Sequence, residues 1–237
     1  MNLGFHPTAR QAPQVHDQRP RQTADPTVHA GCHTVDRVTR RSAELRLDAL
    51  LRVAADVIVE RGFARTRTAD VAAAAGVSPS LVYYHFPSKD AMLTQAFAYV
   101  AEQDLARMQA VLESRASPPE KLGRLLRHLA PAGRSKSWAI WIDGWSEAMR
   151  VPELEKVSRR MDLRWKEALT AVIAAGAGDG SFVCDDPAGA AWRINAMVDG
   201  LAVQLTVHDK VLSRRQAMEW IRLAAAKELG VDPAALH

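Results

Sequence analysis

Between Thr66 and Ser88 the chain reads TRTADVAAAAGVSPSLVYYHFPS, and the local chemistry of this stretch leaves few geometries open. Val71 and Ala72 mark the inward face of a first short helix, and the small side chains from Ala72 to Ala75 let a second helix approach closely. Gly76 accepts the left-handed backbone that a sharp helix exit requires. Ser78 is a good N-cap and Pro79 suits the first helical position, where its missing N–H costs nothing, so a new helix begins at Pro79. Val77 and Val82 turn back toward the core. Ser80, Leu81 and Tyr84 are then left on the outer side of a short helix whose N-terminus favours a phosphate. The spacing predicts two helices around a tight turn, the second presenting a surface suited to reading DNA.

Upstream, from Glu44, Leu47, Leu51, Ala54 and Ile58 recur at the spacing of one helical face, and Gly62 follows as a stop. Downstream of Asp90 similar helical patterns succeed one another, broken at Ser117-Pro118-Pro119, Pro131-Ala132-Gly133, Val151-Pro152, Gly176 to Gly180 and Asp186-Pro187. The count is nine helices and the fold class all-α, with Ser181-Phe182-Val183-Cys184 read as a loop. No repeat at a period of 20 to 50 residues is visible, which removes helical solenoids. Three regions result: residues 1–40, a disordered tail; 41–90, a three-helix unit containing the tight turn; and 91–237, a larger helical domain. The tail is rich in Pro, His, Gln, Thr and Arg and cannot offset its ordering entropy by burial. Its scattered arginines, Arg10 to Arg41, could instead form a basic arm along a DNA groove, although Asp17, Asp25 and Asp36 dilute the charge.

Bulk properties narrow the function classes without choosing one. The 237 residues are 48% hydrophobic, enough for a real core, and the formal charge of +4 permits a nucleic-acid partner without demanding it. From Arg37 to Asp90 nine basic residues face six acidic ones, a modest excess of the sign that phosphate requires. Cys32 and Cys184 lie far apart without metal-type spacing, and His29, Cys32 and His33 fit no closed tetrahedral zinc set, so no cofactor or metal is expected. The N-terminus has no apolar signal region and no eighteen uncharged apolar residues run together, which predicts a soluble, cytoplasmic chain without a membrane partner. A small helical enzyme would draw on Asp143, Glu147, His128 and His208, but these form no recognised constellation, and no phosphate loop or His-Glu-x-x-His is present. The expectation is no enzyme.

Three runs of the central segment carry a resemblance: Gly62-Phe63-x-x-Thr66; Val71-Ala72-x-x-Ala75-Gly76-Val77-Ser78; and Val82-Tyr83-Tyr84-His85-Phe86-x-x-Lys89. Over roughly fifty residues they resemble the DNA-binding signature of TetR-type regulators. The resemblance implies that Thr66 and Arg67 hold phosphates and that Ser80, Leu81 and Tyr84 face base edges or a thymine methyl. It further implies that Tyr84, His85 and Lys89 touch the backbone, with Ser78 capping the reading helix at the interface and Tyr83 and Phe86 in the core. Leu81 departs from the small or polar residue many members carry, which shifts readout toward methyl contact.

The stretch WAIWIDGWSEAMRVPEL, then Gly180-Ser181-Phe182 and Asp186-Pro187 leading to AAWRINAMVDGLAVQL, resembles the C-terminal domain of the BetI-like branch. Trp138, Trp141 and Trp145 fall on one helical face, and Trp165 and Trp192 could converge with them around a ligand pocket with an apolar floor. A nearby carboxylate, Asp143 or Glu147, would suit a cationic effector; an aromatic one fits as well, and plain core packing is the alternative for each indole. The last two helices carry Ile194, Met197, Val198, Leu201, Leu205, Met218, Ile221 and Leu223, and the resemblance implies that they pair with a second copy in a homodimer. The expected function is a transcriptional regulator, a repressor released from palindromic double-stranded operator DNA by a small molecule. A ligand-independent DNA binder is the rival reading.

Overall fold

In the computed structural model the described backbone covers residues 32–130, 135–208 and 211–237, with side chains described from Leu47 onward. Among these residues lie nine α-helices and no strand: α1 (Cys32–Arg61), α2 (Thr68–Ala75), α3 (Pro79–His85), α4 (Lys89–Glu113), α5 (Pro118–Leu129), α6 (Lys136–Ala148), α7 (Pro152–Asp179), α8 (Pro187–Val207) and α9 (Arg214–Glu228). A 3₁₀ turn, Pro233–Leu236, follows. The all-α expectation holds. The first helix runs Cys32–Arg61, longer at its N-terminal end than the apolar pattern from Glu44 predicts. Extending an existing helix costs far less than nucleating one, and a weakly apolar segment can follow a strong one into helix. The basic-arm and zinc readings fall on residues 1–31 and on the side chains of Cys32, His33, Arg37, Arg40 and Arg41, outside the described residues.

The tight turn forms as its sequence dictates. Gly76 takes φ +66°, and its N–H and that of Val77 donate to the Ala73 and Ala72 carbonyls at 3.2 and 3.0 Å, which closes the end of α2. Two residues later Ser78 Oγ accepts from the Leu81 amide at 3.3 Å and Pro79 opens α3. Beneath these two helices Phe63, Val71, Val82 and Phe86 are fully buried against Leu50, Leu51, Ala54 and Ile58 of α1. Each such side chain contributes on the order of 2 kcal/mol relative to exposure, so the helix pair is held by its apolar underside.

In the larger part α7 is the central element, packed against α4, α5, α6 and α8, while α9 lies on α8 and the 3₁₀ turn closes on α5 and α9. The Ser181–Cys184 loop is fixed by Phe182, buried against Gly176, and by the Val183 amide, which donates to the Leu229 carbonyl at 2.8 Å. Residues Ala43 to His237 form one compact unit. The seam between its two parts is close-packed at Gly144 on α6, where an added Cβ would lie 2.8 Å from the Phe97 ring of α4 and 3.6 Å from the Phe63 ring. Replacing Gly144 with Val should therefore lower stability by about 1–3 kcal/mol through overpacking, despite the better helix propensity of Val. Thermal denaturation of the variant checks this, and an unchanged midpoint would show that the seam yields.

Candidate functional site

The residues expected at a DNA interface fall into three groups. Ser80 and Tyr84 stand fully outward on α3, Tyr84 with 81% of its surface accessible, and Arg67 is exposed at the N-cap of α2. Leu81, His85 and Lys89 are half-buried at the border of the same face, and Ser78 caps α3 while remaining exposed. The His85 ring meets Tyr84 edge-on at 5.1 Å, which restrains the tyrosine. Lys89 Nζ donates to the Ala64 carbonyl at 2.7 Å, so it ties α4 to the α1–α2 connection and must leave that oxygen to reach a phosphate.

Two assignments change. Thr66 is completely buried, its hydroxyl donating to the Gly62 carbonyl at 2.8 Å and its amide to the same oxygen at 3.2 Å, so it braces the α1–α2 connection and holds no phosphate. Tyr83, expected in the core, is 55% exposed and its hydroxyl accepts from Thr68 Oγ1 at 3.0 Å. The signal was available: Ser80, Tyr83 and Tyr84 are three and four residues apart and share a helical face. Phe86 is buried as expected. At the N-terminus of α2 Asp70 already accepts from the Arg67 amide at 2.9 Å and pairs with Arg61 at 2.9 Å, while the Arg67 side chain remains exposed at that end.

The second feature is a half-open cavity of about 190 Å³ bordered by residues of α4 to α9. Trp138, Trp141, Trp145 and Trp165 line it. The indoles of Trp141 and Trp145 lie 5.7 Å apart, those of Trp138 and Trp145 6.1 Å, and Trp138 Nε1 donates to the Leu129 carbonyl at 2.8 Å. Trp192 does not join them. It is 52% exposed on α8, with Lys166 Nζ 4.4 Å above its ring. Nor is the lining simply apolar: α7 and α8 contribute Asp162, Asn195 and Asp199, and α4, α5 and α9 contribute Asp104, Arg107, Arg127, His128 and Arg214. Asp104 pairs with Arg107 and accepts from Ser137 Oγ at 2.5 Å, and Arg107 Nε donates to His128 at 3.1 Å. Burial, then the Arg107 charge, pushes the His128 pKa down. Desolvation pushes the Asp199 carboxyl up to about 6, against the pull of Lys166.

The carboxylates proposed from sequence as cavity partners, Asp143 and Glu147, are not in the lining. Asp143 has another task. Its Oδ2 accepts from the Phe63 amide at 2.7 Å, so the helix that carries three cavity tryptophans is also hydrogen-bonded to the first residue after α1 and Gly62. Lys136 at the start of α6 reaches Asp56 of α1 at 2.8 Å, and the Trp141 ring packs edge-on against Phe97 at 4.8 Å, which in turn touches Phe63.

A helix-turn-helix with an exposed second helix, joined through α4 and α6 to an aromatic cavity, is the architecture of a DNA-binding transcription regulator. Residues 50–96 match the family described as bacterial regulatory proteins, tetR family, and residues 118–230 match the BetI-type transcriptional repressor C-terminal domain. The chain belongs to the TetR family of transcriptional regulators. It is 29% identical over 139 residues to the repressor KstR2 of Mycolicibacterium smegmatis, covering 58% of this chain and 67% of that one. It is 26% identical over 175 residues to the regulator BetI of Rhizobium meliloti, covering 71% and 82%. Among solved structures, a transcriptional regulator from Saccharomonospora viridis in complex with choline aligns with a TM-score of 0.73 at 25% identity, covering 78% of this chain and 98% of that one. The family's members are regulators and not enzymes, and no helix among the described residues is long and apolar enough to cross a membrane.

Proposed function

We propose that this regulator is a homodimeric repressor that occupies a palindromic operator through α3 and leaves it when a cationic small molecule enters the tryptophan-lined cavity. The observation that carries the reading is the composition of that cavity: four indoles beside three carboxylates, a combination that attracts an organic cation through both ring quadrupoles and charge. The choline bound by the Saccharomonospora viridis regulator supports the same class of ligand. An aromatic effector is the second reading, supported by the basic and imidazole groups that share the lining. Release follows if the liganded form holds the two reading helices at a separation that no longer matches successive major grooves.

For the dimer, α8 and α9 turn only part of their apolar surface inward. Ile194, Val198 and Ile221 are buried within the chain, whereas Met197, Leu201, Trp220 and Leu223 remain partly or largely exposed, and Gly200 lies among them on α8 with open space above it. A second copy packed on this face would bury those side chains and give two reading helices related by a two-fold axis.

Three outcomes test the reading. Tyr84→Ala should weaken binding to a DNA fragment carrying the operator by at least about tenfold in fluorescence anisotropy, and Leu81→Ala should change the preferred sequence rather than affinity for all sequences alike. Normal affinity of the Tyr84 variant would remove α3 from the interface. Trp145→Ala should still bind operator, but choline should release it only at concentrations higher by about tenfold, the size of one cation–π contact; an unchanged release curve would place the effector elsewhere. Gly200→Lys meets no atom within the chain, so it should preserve the fold yet give a monomer in sedimentation equilibrium, and a dimer of normal strength would move the interface off α8.

A further inference from the structure

The two carboxylates that α7 and α8 bring to the cavity are not equivalent. Asp162 is already neutralised: Lys166 Nζ, on a side chain only 8% accessible, donates to its Oδ1 at 2.5 Å one turn along α7. The lysine's position over the Trp192 ring holds it there. Asp199 has a weaker partner. Asn195, itself buried one turn earlier on α8, donates Nδ2 to Asp199 Oδ2 at 2.8 Å, a neutral hydrogen bond, and among the described residues nothing donates to the other oxygen. Among the described residues, the cavity thus contains one carboxyl whose hydrogen-bond donor is neutral, partly removed from water and sharing the lining with four tryptophans.

We propose that Asp199 is the counter-ion of the effector's cationic group, and that in mildly acidic solution effector binding expels a proton from its carboxyl. The inference rests on the cationic-effector reading above and adds which residue meets the charge and how solution acidity enters the response. Partial burial keeps such a carboxyl neutral further into the mildly acidic range when the cavity is empty, and a cation placed beside it reverses that balance. The groups around it set the size of the effect: Lys166 of α7 favours its ionisation, Asp162 of α7 opposes it, and Arg107, Arg127, His128, Arg214 and Asp104 stand in the same cavity on α4, α5 and α9. The sign follows from the raised carboxyl, which in the empty protein ionises near pH 6 rather than near 3.8. Above about pH 6 the anion is present and cation affinity is full; as the pH falls through that value, part of the binding energy is diverted to removing the proton and affinity declines.

The probes are choline and its neutral isostere 3,3-dimethylbutan-1-ol, titrated calorimetrically into the full-length protein at several pH values and in two buffers of different ionisation enthalpy. Choline should bind about tenfold more tightly at pH 7.5 than at pH 5, with about half a proton released per site at pH 6, while the alcohol should bind weakly and independently of pH. Asp199→Asn should remove the pH dependence and bring choline down toward the alcohol; Asn195 can still donate to the amide oxygen, and the thermal midpoint checks the fold. His128→Gln should keep the profile. Choline binding to wild type without proton release, or an unaltered profile in Asp199→Asn, would overturn the counter-ion while leaving the cationic effector standing. A profile abolished by His128→Gln would also overturn it. If the alcohol binds as tightly as choline, or neither binds, the cationic effector itself fails and the counter-ion with it.

Discussion

The hydrogen bond from the Phe63 amide to Asp143 Oδ2, 2.7 Å long, fixes α6, which together with α4 reaches both the α1–α2 connection and the cavity. A carboxylate accepting a part-buried amide is a charge-assisted bond, and breaking it would leave both groups poorly solvated, so α6 is not free to slide independently of the α1–α2 connection. Gly144 lets the Phe63 and Phe97 rings close on the same helix, and Lys136 adds a surface ion pair to Asp56 of α1, worth little by itself. The α1–α2 connection in turn holds Thr66 and receives Lys89. A displacement of α6 therefore reaches the base of the helix-turn-helix through packed atoms with few intervening degrees of freedom.

Much of this was legible in the residues because it is local. A left-handed glycine, a serine cap and a proline at the first helical position each act over three or four residues, so the helix pair around Gly76 could be read directly. The tryptophan face of α6 was readable for the same reason, by its three- and four-residue spacing. What could not be read depends on contacts far apart in the chain. Asp143 looked like a cavity carboxylate because it shares a helix with the indoles, but 100° per residue turns it to the other side, where its partner lies eighty positions away. Asp162 and Asp199 come to the cavity from helices whose relative rotation no local pattern fixes. Trp192 failed as a lining residue on the same ground, and Thr66 because a hydroxyl capable of holding a phosphate can equally satisfy a carbonyl one turn back.

The cavity is more highly charged than its indoles suggest, and several of its charges are paired. Asp104 is held by Arg107 and Ser137, Asp162 by Lys166, and His128 receives Arg107 Nε. Partnered charges at a semi-enclosed site add modest stability but impose order, because each pair accepts few geometries. They leave a chamber whose shape is set by ion pairs and indoles together, which excludes a ligand that can only offer apolar surface: such a ligand would strip water from the charged groups without replacing their interactions.

On the proposed reading, affinity and response come from different helices. Asp162, Asn195 and Asp199 sit on α7 and α8, the elements most deeply packed into the body, and contacts to them are alike in any conformation that leaves that body intact. Interactions that are equal in two states shift nothing, however strong they are. The indoles of α6 are different, since their position is tied through Asp143 and Phe63 to the reading helix. Reversing an equilibrium from about 1:99 to 99:1 takes roughly 5.5 kcal/mol of differential binding, more than one aromatic contact supplies but within reach of three indoles moving as one helix face. The anion on α8 can hold a ligand in place while the ligand pulls on α6, and it is the second interaction, not the first, that can loosen the grip on DNA.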